Sequence, residues 1–325
     1  TEDLDVRLTG KLQMPGDGYN LRLDRIRVDI VNQTWEHAGR SAEIIYRDPD
    51  IRVRGFRLSS EGQSVDISGQ IGLSEDSPND LTLKIDSMRI ANILESAGSA
   101  APLTGRLNLT VRLTGTQAEP RIEGGLHIAG GRYNERSFRR FSGDFSYGDE
   151  RIDTRFLLLK TREDSLLQLY ASLPFQLSFT PFVSKLLRDR EMDVSLYTPG
   201  ADVAIVNEFV SGIEDLEGNL TADIQLNNTM NDLRGTGPIR LQDGRASLPD
   251  LGVSYENIRA DLSLDEKEVR IDAFRLESGD GSLTLDEGSL SLSRQTLDTF
   301  RVHLEADDFE AMNTDDLQMT VDGDL

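Results

Sequence analysis

Leu103-Thr104-Gly105-Arg106-Leu107-Asn108-Leu109-Thr110-Val111-Arg112-Leu113-Thr114 alternates almost without fault. Leu103, Leu107, Leu109, Val111 and Leu113 share one parity with Gly105, while Thr104, Arg106, Asn108, Thr110 and Arg112 take the other. Successive side chains on a strand point to opposite faces, so this stretch makes a strand with one greasy and one wet side. Antiparallel sheets with a solvated face read this way; buried parallel strands are apolar throughout. The pattern recurs at Leu4, Val6, Leu8, Leu12 and Met14, and again at Leu216, Leu220, Ala222, Ile224 and Leu226. Turn signals at Pro15–Gly18, Ser60–Gly62, Gly130–Gly131, Asp243–Gly244 and Gly279–Gly281 punctuate it at the spacing of an all-β chain. Helical spacing is confined to Ile90–Ala97, Val183–Arg190 and Asp202–Val210, too little to cover a sheet of this size.

Three imperfect copies of one unit follow one another. Val6-Arg7-Leu8-Thr9-Gly10 is identical to Val111-Arg112-Leu113-Thr114-Gly115, and Ile224-Gln225-Leu226-Asn227 stands in the third place. Each unit later carries a tyrosine and an F-x-L strand: Tyr46 with Phe56 and Leu58, Tyr147 with Phe156 and Leu158, Tyr255 with Phe274 and Leu276. In two units the apolar parity slips by one just before the phenylalanine, from Val53 to Phe56 and from Ile271 to Phe274. A slip inside a strand flips its faces, so a bulge is expected at both places. The units are placed near 1–101, 102–214 and 215–325. No Pro/Gly/Ser linker separates them, and one continuous repetitive sheet over 1–325 is expected. Leu173–Phe179 is an insertion that the repeat does not explain.

Composition narrows the chemistry. The chain has 325 residues, Lys+Arg 35 against Asp+Glu 57, a net charge of -22 and no cysteine. So acidic a chain is a poor partner for nucleic acid and for anionic headgroups. Disulfides, thiolate metal sites and cysteine nucleophiles are excluded. His37, His127 and His303 are far apart in sequence and lack metal-ligand neighbours, so structural or surface roles are expected and no metal site is assigned. Asp307-Asp308 and Asp315-Asp316 sit in no calcium-loop pattern and read as solvated turns. Gly124-Gly125 and Gly130-Gly131 do not open a phosphate-binding helix and read as turns. No nucleophile elbow occurs, so no catalytic residue and no cofactor are expected. No run approaches the ~20 apolar residues of a membrane-spanning helix. The chain opens on Thr1 and still alternates at Met319–Leu325; it reads as part of a longer protein, with any membrane anchor outside it.

The apolar face poses the functional question. Its parity holds Leu107, Leu109, Val111 and Leu113, then Leu220, Ala222, Ile224, Leu226, Ile239 and Leu241, then Val269, Ile271, Leu283 and Leu285. Leaving an aliphatic side chain in water forfeits ~1.5–3 kcal/mol, so such a face needs a second sheet, a curl or a ligand. With aromatics at 6% and a single Trp35, the face is written in Leu, Ile and Val. A dry packed core and an aliphatic groove both fit that composition.

The stretch from Ala201 to Leu325 resembles the later repeat region of the TamB family. The matching order is Asp202–Val210, Leu216-x-Gly218-x-Leu220, Arg234-Gly235, Leu241-Gln242-Asp243-Gly244-Arg245, Leu248-Pro249-x-Leu251-Gly252, Glu256-Asn257-Ile258-Arg259-Ala260, Gly279-Asp280-Gly281-Ser282-Leu283 and the Phe309 segment. Thr104–Tyr133 follows the same style. The resemblance implies an elongated antiparallel β-taco, a U-shaped sheet with an apolar groove, similar to AsmA-like bridge-like lipid carriers. It implies a periplasmic location in a protein anchored in the inner membrane of a Gram-negative bacterium. Its implied partners are phospholipid acyl chains in the groove and an outer-membrane barrel of the TamA type. The leading function is therefore acyl-chain conduction between inner and outer membrane, by a protein that is not an enzyme. The alternatives are a scaffold for protein secretion or outer-membrane protein assembly, and an extracellular β-solenoid adhesin. The ~100-residue period with slipped parity is unlike the short uniform coils of a solenoid.

Overall fold

A computed structural model of the chain describes residues 5–16, 18–30, 33–96, 98–99, 101–133, 136–160, 165–203, 212–293, 296–314 and 317–324. The chain divides into two compact units: Thr1–Asp164 with Ala171–Leu187, and Ser165–Tyr170 with Arg188–Leu325.

The first unit holds β1 (Asp5–Gln13), β2 (Gly18–Ile30), β3 (Gln33–His37), β4 (Ala42–Arg47), β5 (Asp50–Ser60), β6 (Gln63–Gly72), β7 (Asn79–Arg89), α1 (Ile90–Ser96), β8 (Leu103–Gly115), β9 (Pro120–Tyr133), β10 (Arg136–Gly148) and β11 (Arg151–Leu159). Neighbours in the chain pair antiparallel, as an alternating sequence with short turns demands. β3 and β4 lie end to end: both pair with β2, and both pair with β5. A small core sits there, built from Leu23, Ile26 and Ala42 with Phe56 and Leu58 against it.

The expected bulge in β5 is present. Val53 pairs with Gly69 and Phe56 with Ile67, so β5 spends three residues where β6 spends two. Gly55 absorbs the extra residue with φ of 62°, a left-handed backbone that glycine adopts without steric cost. The bulge restores Phe56 to the apolar side.

β12 (Ser165–Phe179) turns back through β13 (Phe182–Leu186). The Val183–Arg190 stretch is therefore not helical. Val183, Leu186 and Leu187 have helix-like spacing, but pairing of Phe175 to Phe179 with Leu186 to Phe182 satisfies the backbone in extended form. This hairpin contains the unexplained insertion, and it lies across the ends of other strands. Phe179 N donates to Gln117 O at 2.8 Å, and Phe175 N to Glu150 O at 2.8 Å. Tyr147 Oη accepts from Leu177 N at 2.8 Å and donates to Leu177 O at 3.1 Å.

α1 matches the expected short helix, with Ile90 buried; Ala97 lies outside the described residues. Most of the Asp202–Val210 stretch, from residue 204 on, also lies outside them.

The second unit is a meander of β14 (Glu191–Asp202), β15 (Glu214–Thr229), β16 (Asp232–Leu248), β17 (Val253–Glu266), β18 (Glu268–Ser278), β19 (Gly281–Ser293), β20 (Thr296–Asn313) and β21 (Gln318–Asp324). Each strand is antiparallel to the next. The second expected bulge is here: Leu262 pairs with Ile271 and Asp261 with Ala273, leaving Asp272 extra. This sheet bends toward its apolar side. The rings of Tyr255 on β17 and Phe309 on β20 stack at 5.5 Å, though two strands lie between theirs in the meander. Asn313 N donates to Leu251 O at 2.8 Å, tying the end of β20 to the β16–β17 turn. Ala246, Ile258, Leu276, Ala306 and Phe309 form the core of the bend.

Candidate functional site: an apolar face across many strands

The register turns the alternation into rows. In the first unit Leu113 stands between Leu81 and Ile122, Val111 between Leu83 and Gly124, Leu109 between Ile85 and Leu126, and Leu107 between Met88 and Ile128. In the second unit Leu220 pairs with Ala201 and Leu241, and Leu241 with Ala260. Ala222 pairs with Thr198 and Ile239, Ile239 with Leu262, and Leu262 with Ile271. Ile224 faces Leu196, and Leu226 faces Val194. Val269 joins Leu264 to Leu290, Phe274 pairs with Leu285, and Leu276 pairs with Leu283. Cross-strand neighbours on one face have Cβ atoms ~4.5–5.5 Å apart, so each row is a continuous apolar line.

The opposite parity carries charge. Arg106, Arg112, Asp223 and Gln225 are all exposed. Ion pairs cross the strands there: Arg112 with Asp80 at 3.0 Å, Arg234 with Glu266 at 2.8 Å, Arg245 with Glu256 at 2.8 Å, and Arg240 with Asp261. His303, Glu305 and Asp324 gather on this polar face of β20 and β21, their ligand atoms within 4.8 Å of one another and all three exposed. Sequence spacing could not show that group, because β21 brings Asp324 opposite Glu305 only through the register.

Burial separates the apolar rows from an ordinary core. Among the fourteen apolar positions read from the alternation, Ala222 is 2% exposed and Leu285 5%. The remaining twelve are half-buried. The chain as a whole exposes 19784 Å². Two compact globules of half its mass each would together expose about 16,000 Å² by the usual scaling with size. A packed sandwich hides both inner faces; these rows keep one side open.

Two glycine pairs read as turns prove to be mid-strand. Gly124-Gly125 and Gly130-Gly131 all lie within β9. Gly124 pairs with Phe145, and Gly131 pairs with Phe138. A Cβ at either glycine would strike the opposing ring. On β10, Gly143 stands to Phe156 of β11 in the same relation. The glycines are seats for rings. Only the register could show this, since the paired residues lie seven to twenty-one positions apart in sequence.

Among the described residues, rows of half-buried aliphatic side chains on successive antiparallel strands make one apolar face, opposite the ion-paired one. The family model for the TamB C-terminal domain matches residues 54–276, more than half of the chain. The chain belongs to the TamB family. No curated protein and no solved structure matches it significantly. TamB proteins belong to transport and to the translocation and assembly module, and the family is not known for enzymatic activity. TamB proteins are associated with a TamA-type partner, and they span the periplasm from an inner-membrane anchor. Among the described residues no helix is long and apolar enough to cross a membrane.

Proposed function

We propose that this TamB chain is a segment of a periplasmic bridge-like lipid carrier whose apolar rows hold phospholipid acyl chains on their way between the two membranes. Leu107, Leu109, Val111 and Leu113 line the groove in the first unit. Leu220, Ala222, Ile224, Leu226, Ile239, Leu241, Val269, Ile271, Leu283 and Leu285 line one in the second. The observation that carries the reading is the half-burial of these rows beside a fully solvated, ion-paired polar face. A surface of this kind gains by taking up hydrocarbon in place of water.

The test is Ile224→Glu in the full-length protein, followed by thermal melting and by photocrosslinking to lipid on either side of residue 224. In an open groove the new carboxylate reaches water, so the sheet stays folded while crosslinks beyond 224 are lost. In a dry core an unpaired buried charge unfolds the unit. Asp223→Lys changes charge on the polar face and leaves crosslinking as it was. A folded Ile224→Glu protein that still passes lipid beyond 224 would end the conduction reading.

The second reading is a scaffold for outer-membrane protein assembly with a TamA-type barrel, and it is supported by the family match, since the TamB family is associated with such a partner in the translocation and assembly module.

A further inference from the structure

Among the described residues, His303, Glu305 and Asp324 are the one group of three side chains whose metal-binding atoms come together. His303 and Glu305 are two apart on β20, so both project from its polar face. β21 runs antiparallel beside β20 and sets Asp324 opposite Glu305. His303 Nε2 lies 3.2 Å from Asp324 Oδ1, and the ligand atoms of all three lie within 4.8 Å of one another.

The strand on the other side of β20 adds negative charge. Leu285 of β19 pairs with Leu304 and Gly288 with Val302, so Asp286 and Glu287 stand where β20 has His303 alone. Two residues against one is a bulge, and here both of the two are exposed carboxylates. Glu287 and His303 line one recess of about 500 Å³, with Glu268, Asp272 and a single cation, Arg270, in its wall. In a chain of net charge -22 this surface draws cations.

The three ligands decide which cation. An exposed ion pair of His303 with Asp324 contributes little by itself. One imidazole nitrogen with two carboxylates is a donor set for Zn²⁺ and its neighbours Cu²⁺ and Ni²⁺, whereas Mg²⁺ and Ca²⁺ take oxygen. Zinc bonds of ~2.0–2.1 Å in a tetrahedron hold the ligand atoms about 3.3 Å apart and leave the fourth position to water. The separation of His303 from Asp324 already fits. The other gaps close by rotation of exposed carboxylate side chains between staggered rotamers.

We propose that His303, Glu305 and Asp324 bind one divalent cation of the zinc class, and that the ion fastens β21 to β20. The site lies on the polar face and is independent of the groove reading.

The test uses the whole 325-residue chain, purified without a histidine tag and stripped with chelator. Zn²⁺ is titrated calorimetrically into the wild type, His303→Gln and Asp324→Asn; all three positions are exposed, so the fold is not at risk. His127→Gln, in the other unit, is the control. The wild type and His127→Gln bind one equivalent alike, and the affinity falls about tenfold or more when either ligand is replaced. Mg²⁺ and Ca²⁺ bind the wild type no better than His303→Gln. Hydrogen exchange then reads the fastening: Zn²⁺ slows the amides of Gln318–Asp324 in the wild type and leaves them unchanged in His303→Gln. Zinc affinity that survives His303→Gln, or Ca²⁺ that binds as well as Zn²⁺, overturns the site and leaves an acidic surface only. Zinc binding without slower exchange in β21 overturns the fastening.

Discussion

Phe145 lies across Gly124 on the neighbouring strand, in direct register with it and on the apolar face. Any side chain at residue 124 must displace that ring. Gly124→Ala therefore costs about 1–3 kcal/mol, the usual penalty for overpacking. Gly125→Ala is the comparison: its methyl group meets the movable carboxylate of Asp144 at 3.1 Å on the polar face. Chemical denaturation of the two variants should show a clear loss for the first and little for the second. Equal losses would mean that the ring is not seated on Gly124.

Gln117 sits in the turn between β8 and β9, 7% exposed. Its Nε2 donates to Gly72 O and, at 3.1 Å, to Asn79 Oδ1. Its own backbone oxygen receives Phe179 N, so this turn joins two neighbouring strand ends to the β12–β13 hairpin. Gln117→Leu leaves Gly72 O without its side-chain donor, and should cost about 1–3 kcal/mol. Proteolysis should then cut more readily near Thr180-Pro181, at the exposed tip of the hairpin. Unchanged cleavage there would show that the turn does not hold the hairpin.

The ion pairs of the polar face are exposed, as with Arg240 at 58% and Asp261 at 45%. Removing one should matter little. Arg240→Gln is expected to change stability by less than about 1 kcal/mol, and less still at high salt. A larger loss in a denaturation series would mean that these pairs hold the register of the sheet.

Asp29 on β2 is held below the ordinary carboxylate value, first by the hydrogen bond from Arg27 and then by the one from Thr34 Oγ1 at 2.5 Å. A depressed carboxylate stabilises the folded state above its unfolded-state value and loses that contribution as pH falls through the folded-state value. Acid should thus loosen the β2–β3 hairpin in the window below the usual aspartate titration. Titration by NMR should place Asp29 on the acid side of that value, and Asp29→Asn should remove this part of the acid sensitivity. A normal titration for Asp29 would sink the prediction.

The alternation by itself determined a great deal. Strand side chains have a period of two, so Leu107, Leu109, Val111 and Leu113 had to share a face wherever that strand lay. A slip in parity has one local remedy, and so Val53–Phe56 and Ile271–Phe274 announced their bulges before any partner strand was known. The long run of resembling motifs after residue 200 pointed to TamB in the same way, by order along the chain.

What register brings together had to wait for the tertiary structure. Gly124 carries no mark in sequence that distinguishes a turn from a ring seat, because both need the same missing Cβ. The difference lies in Phe145, twenty-one residues away, and in a pairing that only the folded sheet defines. Val183–Leu187 had the spacing of a helical turn, yet a neighbouring strand supplied its hydrogen bonds and made it extended. The openness of the apolar rows is of the same kind. Leu220 and Ile224 would have this pattern in a dry sandwich or in a groove, and only the arrangement of neighbouring strands leaves one side of them uncovered, because burial depends on what lies across from a face and not on the face itself.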